Sequence, residues 1–438
     1  MRSRGSPRRS TLVADVQRVR RRAAGSSPQF EYHLLLLVTL GLVAFGLIMV
    51  YSASSGTAVV QGQDPVGALV HQAVYAAVGV IGMLILARFS YRRLRYFAAP
   101  ILFVSIALLV AVKVPGIGVS IKGAQRWIYL GPVSIQPSEF AKAAVLIFAA
   151  AVLASRRRPP TTWVQLFNPV GAVVLLVLFL IHSEPDLGTT IAIALMVCGV
   201  LLVAGTPLRL FSSVAFLGMI LVAYTVAREP YQMDRIRTFL DPWKDPAGAG
   251  YQSIQALLAL GSGGAWGVGI GNGTQKIGFL PEAPTDMIGA VIGEELGLVG
   301  ILGVTLAFAV FTYCGVRIAM RCKDPFGKYL VAGATTLVAG QAVVNFGAVL
   351  GFLPLTGVPL PLISSGGSSL VVMLSLVGVM LNVADTSAAG ARAKTPRDEP
   401  KEGRATEPKR EQQARADRRR RNSGARRAGA GGGRRAAS

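Results

Sequence analysis

The residue in this 438-residue chain whose position best suits chemistry is Asp286. It follows the Pro-bracketed segment Leu280–Thr285 (LPEAPT) and comes just before an apolar run. A carboxylate there can serve as a general base or as a ligand of a cation, provided that water reaches it. The alternative is that Thr285 or Asp286 caps the following helix. Glu294 and Glu295 point to other faces of that helix, so we expect buried structural contacts for them.

A second group of polar residues lies in the segments between apolar runs. Lys122 and Arg126 share a segment without any acidic residue, which favours an anionic ligand. Trp127 can be an aromatic anchor at a membrane interface or a platform for a sugar or lipid. Asp186 can cap a helix, and the Gly-Gly-Ser-Ser run that contains Ser368 can cap one or receive an anion. The candidate substrate-binding residues are Lys122, Arg126, Trp127, Gln136, Asp186, Gln252, Lys276 and Ser368.

Glu139 and Lys142 form a third candidate pair. They lie three residues apart on a predicted apolar helix that begins at Pro137, so they can face each other. Charge inside a bilayer is expensive unless it is paired. We therefore expect a buried structural ion pair here.

The elements that must position these residues are membrane helices. About half of the chain (52%) is hydrophobic, only 15% is charged, and the mean hydropathy is +0.50. A soluble domain cannot bury that much apolar surface. The net charge of +23 is concentrated in two basic tails, predicted as disordered cytoplasmic segments at residues 1–31 and 387–438. Nucleic acid is not an expected partner, because no recognisable nucleic-acid-binding fold accompanies the basic residues.

The hydropathy pattern predicts an all-α membrane domain of ten transmembrane helices at residues 32–386. Lys and Arg in the short connections place both termini on the cytoplasmic side. Three outer loops are expected, at residues 113–136, 228–285 and 352–365. The Gly-interrupted stretch Tyr251–Ile270, between helices 7 and 8, is predicted to be re-entrant or interfacial, because irregular backbone at membrane depth must line a cavity.

Several classes of site find no support in the sequence. Three scattered cysteines and three separated histidines give neither a disulfide framework nor metal-ligand spacing. There is no Walker motif, and the glycines of residues 267–273 follow no strand, so neither a nucleotide nor an organic cofactor is expected. A divalent cation held by Asp286 stays open.

Several long segments, in one order over residues 32–382, resemble the SEDS family (shape, elongation, division and sporulation) of bacterial cell-wall proteins. They are MVYSASS, GAQRWIYLGPVSIQPSEFAK, EPDLGT, FLDPWKDPAGAGYQSIQALLALGSGG, LPEAPTD, GEELG and NFGAVLGFLPLTGVPLPLISSGGSS. Four cues favour the division branch, FtsW, over the elongation branch, RodA: the MVYSASS ending of the first helix, the spacing from FLDPWKDP to YQ, the QKIGFLPEA run and the long tails. Departures from the family pattern fall at Pro284, Met287 and Ser365.

The resemblance implies a ten-helix peptidoglycan glycosyltransferase that polymerises lipid II at the outer face of the cytoplasmic membrane, at the division septum. It implies that Asp286 is the essential acidic residue. It also implies three kinds of partner: lipid II with the nascent lipid-linked glycan, a class B penicillin-binding protein that crosslinks the glycan, and other divisome proteins. The alternative functions are a lipid II flippase and a scaffold that only recruits the transpeptidase.

Overall fold

The computed structural model describes residues 28–392 apart from residues 61, 63, 122–123, 132, 157, 185 and 229. Thirteen α-helices and three strands lie in this part of the chain. The helices are α1 Pro28–Val60, α2 Pro65–Arg88, α3 Leu94–Ala111, α4 Pro137–Ser155, α5 Trp163–Leu166, α6 Ala172–His182, α7 Leu187–Val203, α8 Leu208–Arg228, α9 Pro230–Leu240, α10 Tyr251–Gly263, α11 Ile288–Arg321, α12 Pro325–Val349 and α13 Gly367–Arg392. The strands are β1 Gly118–Ile121, β2 Ala124–Leu130 and β3 Val133–Ile135.

Eight helical segments among the described residues are long and apolar enough to cross a membrane. Two shorter apolar helices, Leu187–Val203 and Leu208–Ile220, correspond to the sixth and seventh predicted spans. The prediction of a helical polytopic protein is confirmed, and the count of ten crossings stays a prediction. The structure shortens both predicted tails: α1 already begins at Pro28, before the predicted boundary at residue 31, and α13 continues past residue 387 to Arg392. The rest of both tails lies outside the described residues.

The first predicted outer loop folds into a small antiparallel sheet in the order β1-β2-β3. Val119 pairs with Trp127, and Ile128 pairs with Ile135. The sequence signal for these strands is the run of aromatic and aliphatic residues Trp127–Leu130 (WIYL), which is too short to be a membrane span. We call the end of the helix bundle that carries this sheet the sheet end. It is the end predicted to face outwards.

The predicted re-entrant stretch is helical over α10, and the irregular segment follows it at residues 264–287. This segment is hydrogen-bonded to a break inside α11 at Gly297, where φ is +64°. The amides of Val268 and Gly269 donate to the carbonyl oxygens of Glu294 and Glu295 at 3.0 and 2.9 Å. A side chain at Gly297 would collide with the backbone of Ala265 and Gly267, so only glycine fits there.

The carboxylates of Glu294 and Glu295 hold the same segment from the other side. Glu294 accepts hydrogen bonds from the amide of Thr274 at 2.7 Å and from the amide of Gln275 at 3.1 Å. Glu295 lies 2.5 Å from Lys276 Nζ, and Ser52 of α1 donates to Glu295 at 2.6 Å. The expected buried structural contacts of both glutamates are therefore present, with partners from the loop and from α1.

Glu139 and Lys142 lie at the sheet end of α4. Lys142 Nζ is 2.7 Å from both carboxylate oxygens of Glu139, and both side chains are buried. Pro137 occupies the first turn of the helix, where its missing amide hydrogen costs nothing. The pair therefore occupies the place and the role that their spacing predicts.

The Lys276–Glu295 pair gives a prediction about stability. Lys276 is 1% exposed and Glu295 is fully buried. Lys276→Met leaves the carboxylate without its cation, so we expect a loss of about 3–5 kcal/mol in the free energy of unfolding. The double variant Lys276→Met/Glu295→Gln should recover part of that loss. The measurement is thermal unfolding of the purified protein in detergent.

The matched control is Arg237→Ala, which removes an exposed pair with Asp234 at 3.4 Å. Exposed pairs contribute at most about 1 kcal/mol, so this variant should unfold close to the wild-type temperature. If Lys276→Met unfolded at the same temperature as Arg237→Ala, the ion pair would not secure the loop.

Candidate functional site

Asp286 belongs to a tight turn at residues 281–287, just before α11. Glu282 has a φ of +57°, and its carbonyl oxygen accepts hydrogen bonds from the amides of Thr285 and Met287 at 3.1 and 3.2 Å. The Thr285 hydroxyl donates to the Glu282 carboxylate at 2.8 Å and lies 3.4 Å from Asp286 Oδ1. The two prolines that bracket the turn limit its backbone further.

The capping alternative for this turn is wrong. Met287, not Thr285 or Asp286, is the N-cap residue of α11, and no side chain caps the helix there. The Thr285 hydroxyl is committed to Glu282 instead. The Asp286 carboxylate therefore has no helix-capping role.

Asn345 of α12 joins this turn to the third predicted outer loop. Its Nδ2 donates to the carbonyl oxygen of Asp286 at 2.7 Å and to that of Val358 at 2.8 Å. The amide of Ser365 donates to the carbonyl oxygen of Pro284 at 2.8 Å. Asp286 thus sits where α11, α12 and the 352–365 loop meet.

Gly357, in the 352–365 loop, lies beside both Asp286 and the cation Arg235. A Cβ built on this glycine would lie 3.9 Å from both Asp286 Oδ2 and Arg235 Nη2, and its φ is +70°. A methyl group would fit there at ordinary van der Waals distance, so it is the left-handed φ that favours glycine at this position. Arg235 comes from α9, so a fourth element contributes to the site.

The environment of Asp286 raises the pKa of its carboxyl from 3.8 to about 6. The main cause is desolvation by burial, and the nearby Glu282 carboxylate adds to it. Arg235 and the Thr285 hydroxyl act in the opposite direction. A carboxyl with a pKa near 6 holds its charge at neutral pH and can accept a proton there.

A second polar cluster forms around three of the predicted binding residues. Gln136 Nε2 donates to Asp186 at 3.4 Å, and the amide of Gln136 donates to the Ser368 hydroxyl at 3.2 Å. Ser368 in turn donates to the carbonyl oxygen of Ser134 in β3 at 3.0 Å. These residues therefore join three elements: the end of the sheet, the start of α7 and the start of α13. Asp186 also caps α7, because it accepts from the amide and the hydroxyl of Thr189.

Arg126 lies beside this cluster on β2. Its Nε donates to the carbonyl oxygen of Glu184 at 2.7 Å, in the turn between α6 and α7. The Glu184 side chain is 2% exposed, and neither of its carboxyl oxygens has a hydrogen-bond partner among the described residues. Burial raises the pKa of Glu184 to about 8, with a further contribution from Asp186. Glu184 is therefore mostly neutral at pH 7.

The 352–365 loop connects the two clusters. A Cβ built on Gly188 would lie 3.0 Å from the carbonyl oxygen of Thr356 and 3.7 Å from Asp186 Oδ1. Residues 356 and 357 are consecutive, so one short stretch of backbone passes close to both Asp186 and Asp286. Carboxylates that are 100 residues apart in sequence thereby share one end of the bundle.

A cavity of about 480 Å³ opens beside this site. Gln252 and Arg235 line it, together with parts of α9, α10 and the residues that end α12. Gln252 Nε2 also reaches the carbonyl oxygen of Pro281 at 3.5 Å, in the Asp286 turn. The predicted binding residue Gln252 is therefore close to Asp286 and faces the cavity.

Not every predicted binding residue lies where an anionic ligand could meet it. Lys276 is the clear exception: its amine is buried against Glu295 and Ser52, so the prediction that it binds substrate is wrong. A sequence does not show that a loop lysine folds back onto a helix 19 residues later. Trp127 is half-buried in β2, and Lys122 lies outside the described residues.

Sequence reasoning missed three residues of the site: Asn345, Arg235 and Glu184. Each has a weak local signal. Asn345 interrupts an apolar helix, Arg235 lies in a segment where acidic neighbours balance it, and Glu184 sits two residues before Asp186. Their contacts join elements that are distant in the chain, so spacing alone does not reveal them.

The buried carboxyl of Glu184 predicts a pH-dependent stability. In the unfolded chain it ionises near 4.5, and in the folded protein near 8. The stabilisation from holding that proton is therefore fully present below about pH 4.5 and is lost as the pH rises through 8. Relative to Glu184→Gln, the wild type should lose several degrees of unfolding temperature between pH 5 and pH 9, measured by thermal scans in detergent.

Asp64→Asn is the matched control, because Asp64 is an exposed cap of α2. This variant should follow the wild-type pH profile. Parallel profiles for wild type and Glu184→Gln would show that the Glu184 carboxyl is not held neutral by burial.

Comparison with known proteins gives one consistent result. The family model described as cell cycle protein, FtsW/RodA/SpoVE, matches residues 32–389. A probable peptidoglycan glycosyltransferase FtsW of Trichlorobacter lovleyi is 41% identical over 354 residues, which cover 81% of this chain and 93% of that protein. Stage V sporulation protein E of Bacillus subtilis is 38% identical over 350 residues, which cover 80% of this chain and 96% of that protein.

Solved structures agree with the sequence relatives. The chain matches a structure titled as the structural coordination of polymerization and crosslinking by a peptidoglycan synthase complex, with a TM-score of 0.67 and 31% identity. That match covers 81% of this chain and 97% of the other chain. The rod shape determining protein RodA of Thermus thermophilus matches with a TM-score of 0.59 and 28% identity, over 80% of this chain and 95% of that one. The chain is thus a multi-pass membrane protein that belongs to the FtsW/RodA/SpoVE family of cell cycle proteins.

Proposed function

We propose that this chain is a peptidoglycan glycosyltransferase of the FtsW type, which polymerises lipid II into glycan strands at the outer face of the cytoplasmic membrane. The observation that carries the proposal is the position of Asp286. It has a raised pKa, no helix-capping role, and a location where four elements and a cavity converge at one end of the bundle. Relatives named as probable peptidoglycan glycosyltransferases over more than 80% of the chain support the same activity.

In this proposal, Asp286 takes the proton from the 4-hydroxyl of the N-acetylglucosamine of one lipid II. The oxygen then attacks the anomeric carbon of the growing chain, and the bond to the lipid diphosphate breaks. A general base works best when its pKa lies near the working pH while it stays ionised, and a value of about 6 meets both needs. The hydrogen bonds of Asn345 and Thr285 fix the turn so that the carboxylate need not reorganise.

The leaving diphosphate needs positive charge around it. The sequence predicts three cations that bind the diphosphate: Lys122, Arg126 and Lys276. Lys276 is excluded because its amine is buried, so Arg126 remains, and Lys122 stays a prediction from the sequence. Arg235 is the additional cation that the fold brings towards Asp286. Guanidinium groups suit this role because they bind phosphate oxygens with two parallel hydrogen bonds.

A divalent cation, Mg²⁺ or Mn²⁺, fits the donor set only in part. The described residues hold no group of three or more His, Cys, Asp or Glu side chains that would form a complete protein site. Asp286, with Glu282 nearby, could hold Mg²⁺ through a carboxylate while the substrate phosphates supply further oxygens, which is the usual mode for this ion. When bound, the cation would neutralise charge on the diphosphate.

The proposed partners and location follow from the family. The solved match in a synthase complex supports a class B penicillin-binding protein that crosslinks the glycan made here. Other divisome proteins and a position at the division septum follow from the FtsW-type relatives. A RodA-like role in elongation uses the same chemistry and is the nearest alternative within the family.

A lipid II flippase is the alternative outside glycosyl transfer. Its best support is the intramembrane charge of Glu139, Lys142, Glu294 and Glu295. The structure weakens that support, because all four side chains are engaged in fixed contacts within the described residues. A transporter also needs its site near the middle of the membrane, whereas both polar clusters lie at the sheet end.

The proposal is tested by glycan synthesis with purified protein, its transpeptidase partner with a blocked active serine, and lipid II. Asp286→Asn should reduce the rate at least about 100-fold, because general-base catalysis contributes roughly 10²–10⁴-fold. Asp64→Asn is the matched control and should retain wild-type activity. Long glycan from Asp286→Asn would exclude Asp286 as the base, and lipid II transport without any glycan from wild type would favour the flippase.

The raised pKa of Asp286 predicts the acid limb of the pH–rate profile. Turnover should fall as the pH drops through about 6, because the protonated carboxyl cannot accept a proton. Since Glu282 contributes to the raised pKa, Glu282→Gln should move this limb to lower pH while the amide still accepts the Thr285 hydrogen bond. An unmoved limb in Glu282→Gln would assign the acid limb to another group.

A further inference from the structure

The 480 Å³ cavity beside the Asp286 turn is lined by two kinds of side chain. The polar lining comes from Asp234, Arg235, Gln252 and Ser253, and the apolar or aromatic lining comes from Phe239, Trp243, Leu353, Pro354 and Leu355. The volume lies within the roughly 300–1,000 Å³ of ordinary ligand sites.

This combination suits a saccharide ring better than a lipid tail or a bare phosphate. A pyranose presents C–H groups on its faces and hydroxyl or acetamido groups around its edge. A lipid tail would leave the charged side chains of the lining without partners, and that costs free energy. A phosphate alone would make no use of the aromatic side chains.

The cavity and the proposed base are neighbours. Arg235 lines the cavity, and its guanidinium reaches the same Gly357 position as Asp286 Oδ2. Gln252 lines the cavity too, and it touches the backbone of Pro281 in the Asp286 turn. A sugar held in the cavity would therefore lie next to the Asp286 turn.

Trp243 is the large aromatic side chain of this cavity that remains open to contact. It is 62% exposed, although burying an indole is normally favourable. The turn that carries it is held firmly, because Asp241 accepts from the amide of Trp243 at 3.1 Å and Asp245 accepts from the amides of Gly248 and Ala249 at 3.1 and 2.9 Å. These hydrogen bonds order the backbone that carries the indole, and the exposed ring is available to a partner.

We propose that this cavity is a saccharide subsite for the acceptor, and that an N-acetylhexosamine ring packs against the indole of Trp243 while Arg235 and Gln252 bind its polar edge. The inference rests on the proposed glycosyltransferase function. It adds Trp243 to the candidate substrate-binding residues. Trp243 would hold the acceptor sugar, whose 4-hydroxyl attacks the growing chain. Loss of the indole should therefore raise KM more than it lowers kcat.

The competing explanation is that Trp243 anchors the outer segment at the membrane interface, as tryptophan commonly does. Trp266 provides the matched control for this explanation. It is 82% exposed, belongs to the irregular segment after α10 and does not line the described cavity. An anchoring role would make both tryptophans sensitive, whereas a saccharide subsite involves Trp243 alone.

The test compares Trp243→Leu, Trp243→Phe and Trp266→Leu in glycan synthesis from lipid II. Leucine keeps an apolar side chain but removes the aromatic face, and phenylalanine keeps both. We expect Trp243→Leu to raise KM for lipid II about tenfold and to shorten the glycan, with kcat within about twofold of wild type. Trp243→Phe, which retains an aromatic face, should bring KM most of the way back towards the wild-type value, and Trp266→Leu should stay close to wild type. Thermal unfolding of each variant checks that the fold is intact.

A second measurement separates this inference from the proposed function. Binding of lipid II in nanodiscs is measured in an Asp286→Asn background, where turnover is absent, with and without Trp243→Leu. Tenfold weaker binding on loss of the ring supports the subsite even if no variant makes glycan. Equal binding, equal KM values for Trp243→Leu and wild type, or an equal defect in Trp266→Leu would each overturn it.

Discussion

The structure depends on one constraint: backbone that leaves the helical pattern among apolar helices must find hydrogen-bond partners inside the protein. The break of α11 at Gly297 meets this constraint. It frees the carbonyl oxygens of Glu294 and Glu295, and the amides of the 264–287 segment bind them. The two carboxylates hold the next residues of the same segment. The Asp286 turn comes a few residues later in the chain, so the contacts that hold Thr274–Lys276 also position the turn.

The same constraint explains why the site uses so many backbone contacts. Asn345 binds two carbonyl oxygens, one in the Asp286 turn and one in the 352–365 loop. Ser368 and Gln136 join α13 to the sheet in a similar way. Because these side chains satisfy irregular backbone, each of them holds together the parts of its own polar cluster. The side chains that stabilise the irregular backbone, Asn345, Gln136 and Ser368, therefore also hold the site in a fixed arrangement.

Four carboxyl groups among the described residues show two types of environment. Glu294 and Glu295 are paired or hydrogen-bonded, and they secure the fold. Asp286 and Glu184 have pKa values raised by burial, so their ionised forms are destabilised by the fold. Unfavourable burial of ionisable groups is concentrated at functional sites, where stability is given up for reactivity. This contrast supports Asp286, rather than the buried ion pairs, as the reactive group.

The sequence by itself determined the membrane-spanning class and the approximate positions of the long apolar helices, and it singled out Asp286 as the candidate reactive residue. Apolar runs are set by local composition, and the Pro-bracketed turn restricts its own backbone, so both are readable from neighbours in the chain. The Glu139–Lys142 pair is also local, because three residues span less than one helical turn. Only the tertiary structure placed Lys276 against Glu295, Arg235 beside Asp286 and Trp243 on a cavity wall. Those placements depend on which helices pack together, and side chains distant in sequence carry no local signal of the partner that they meet.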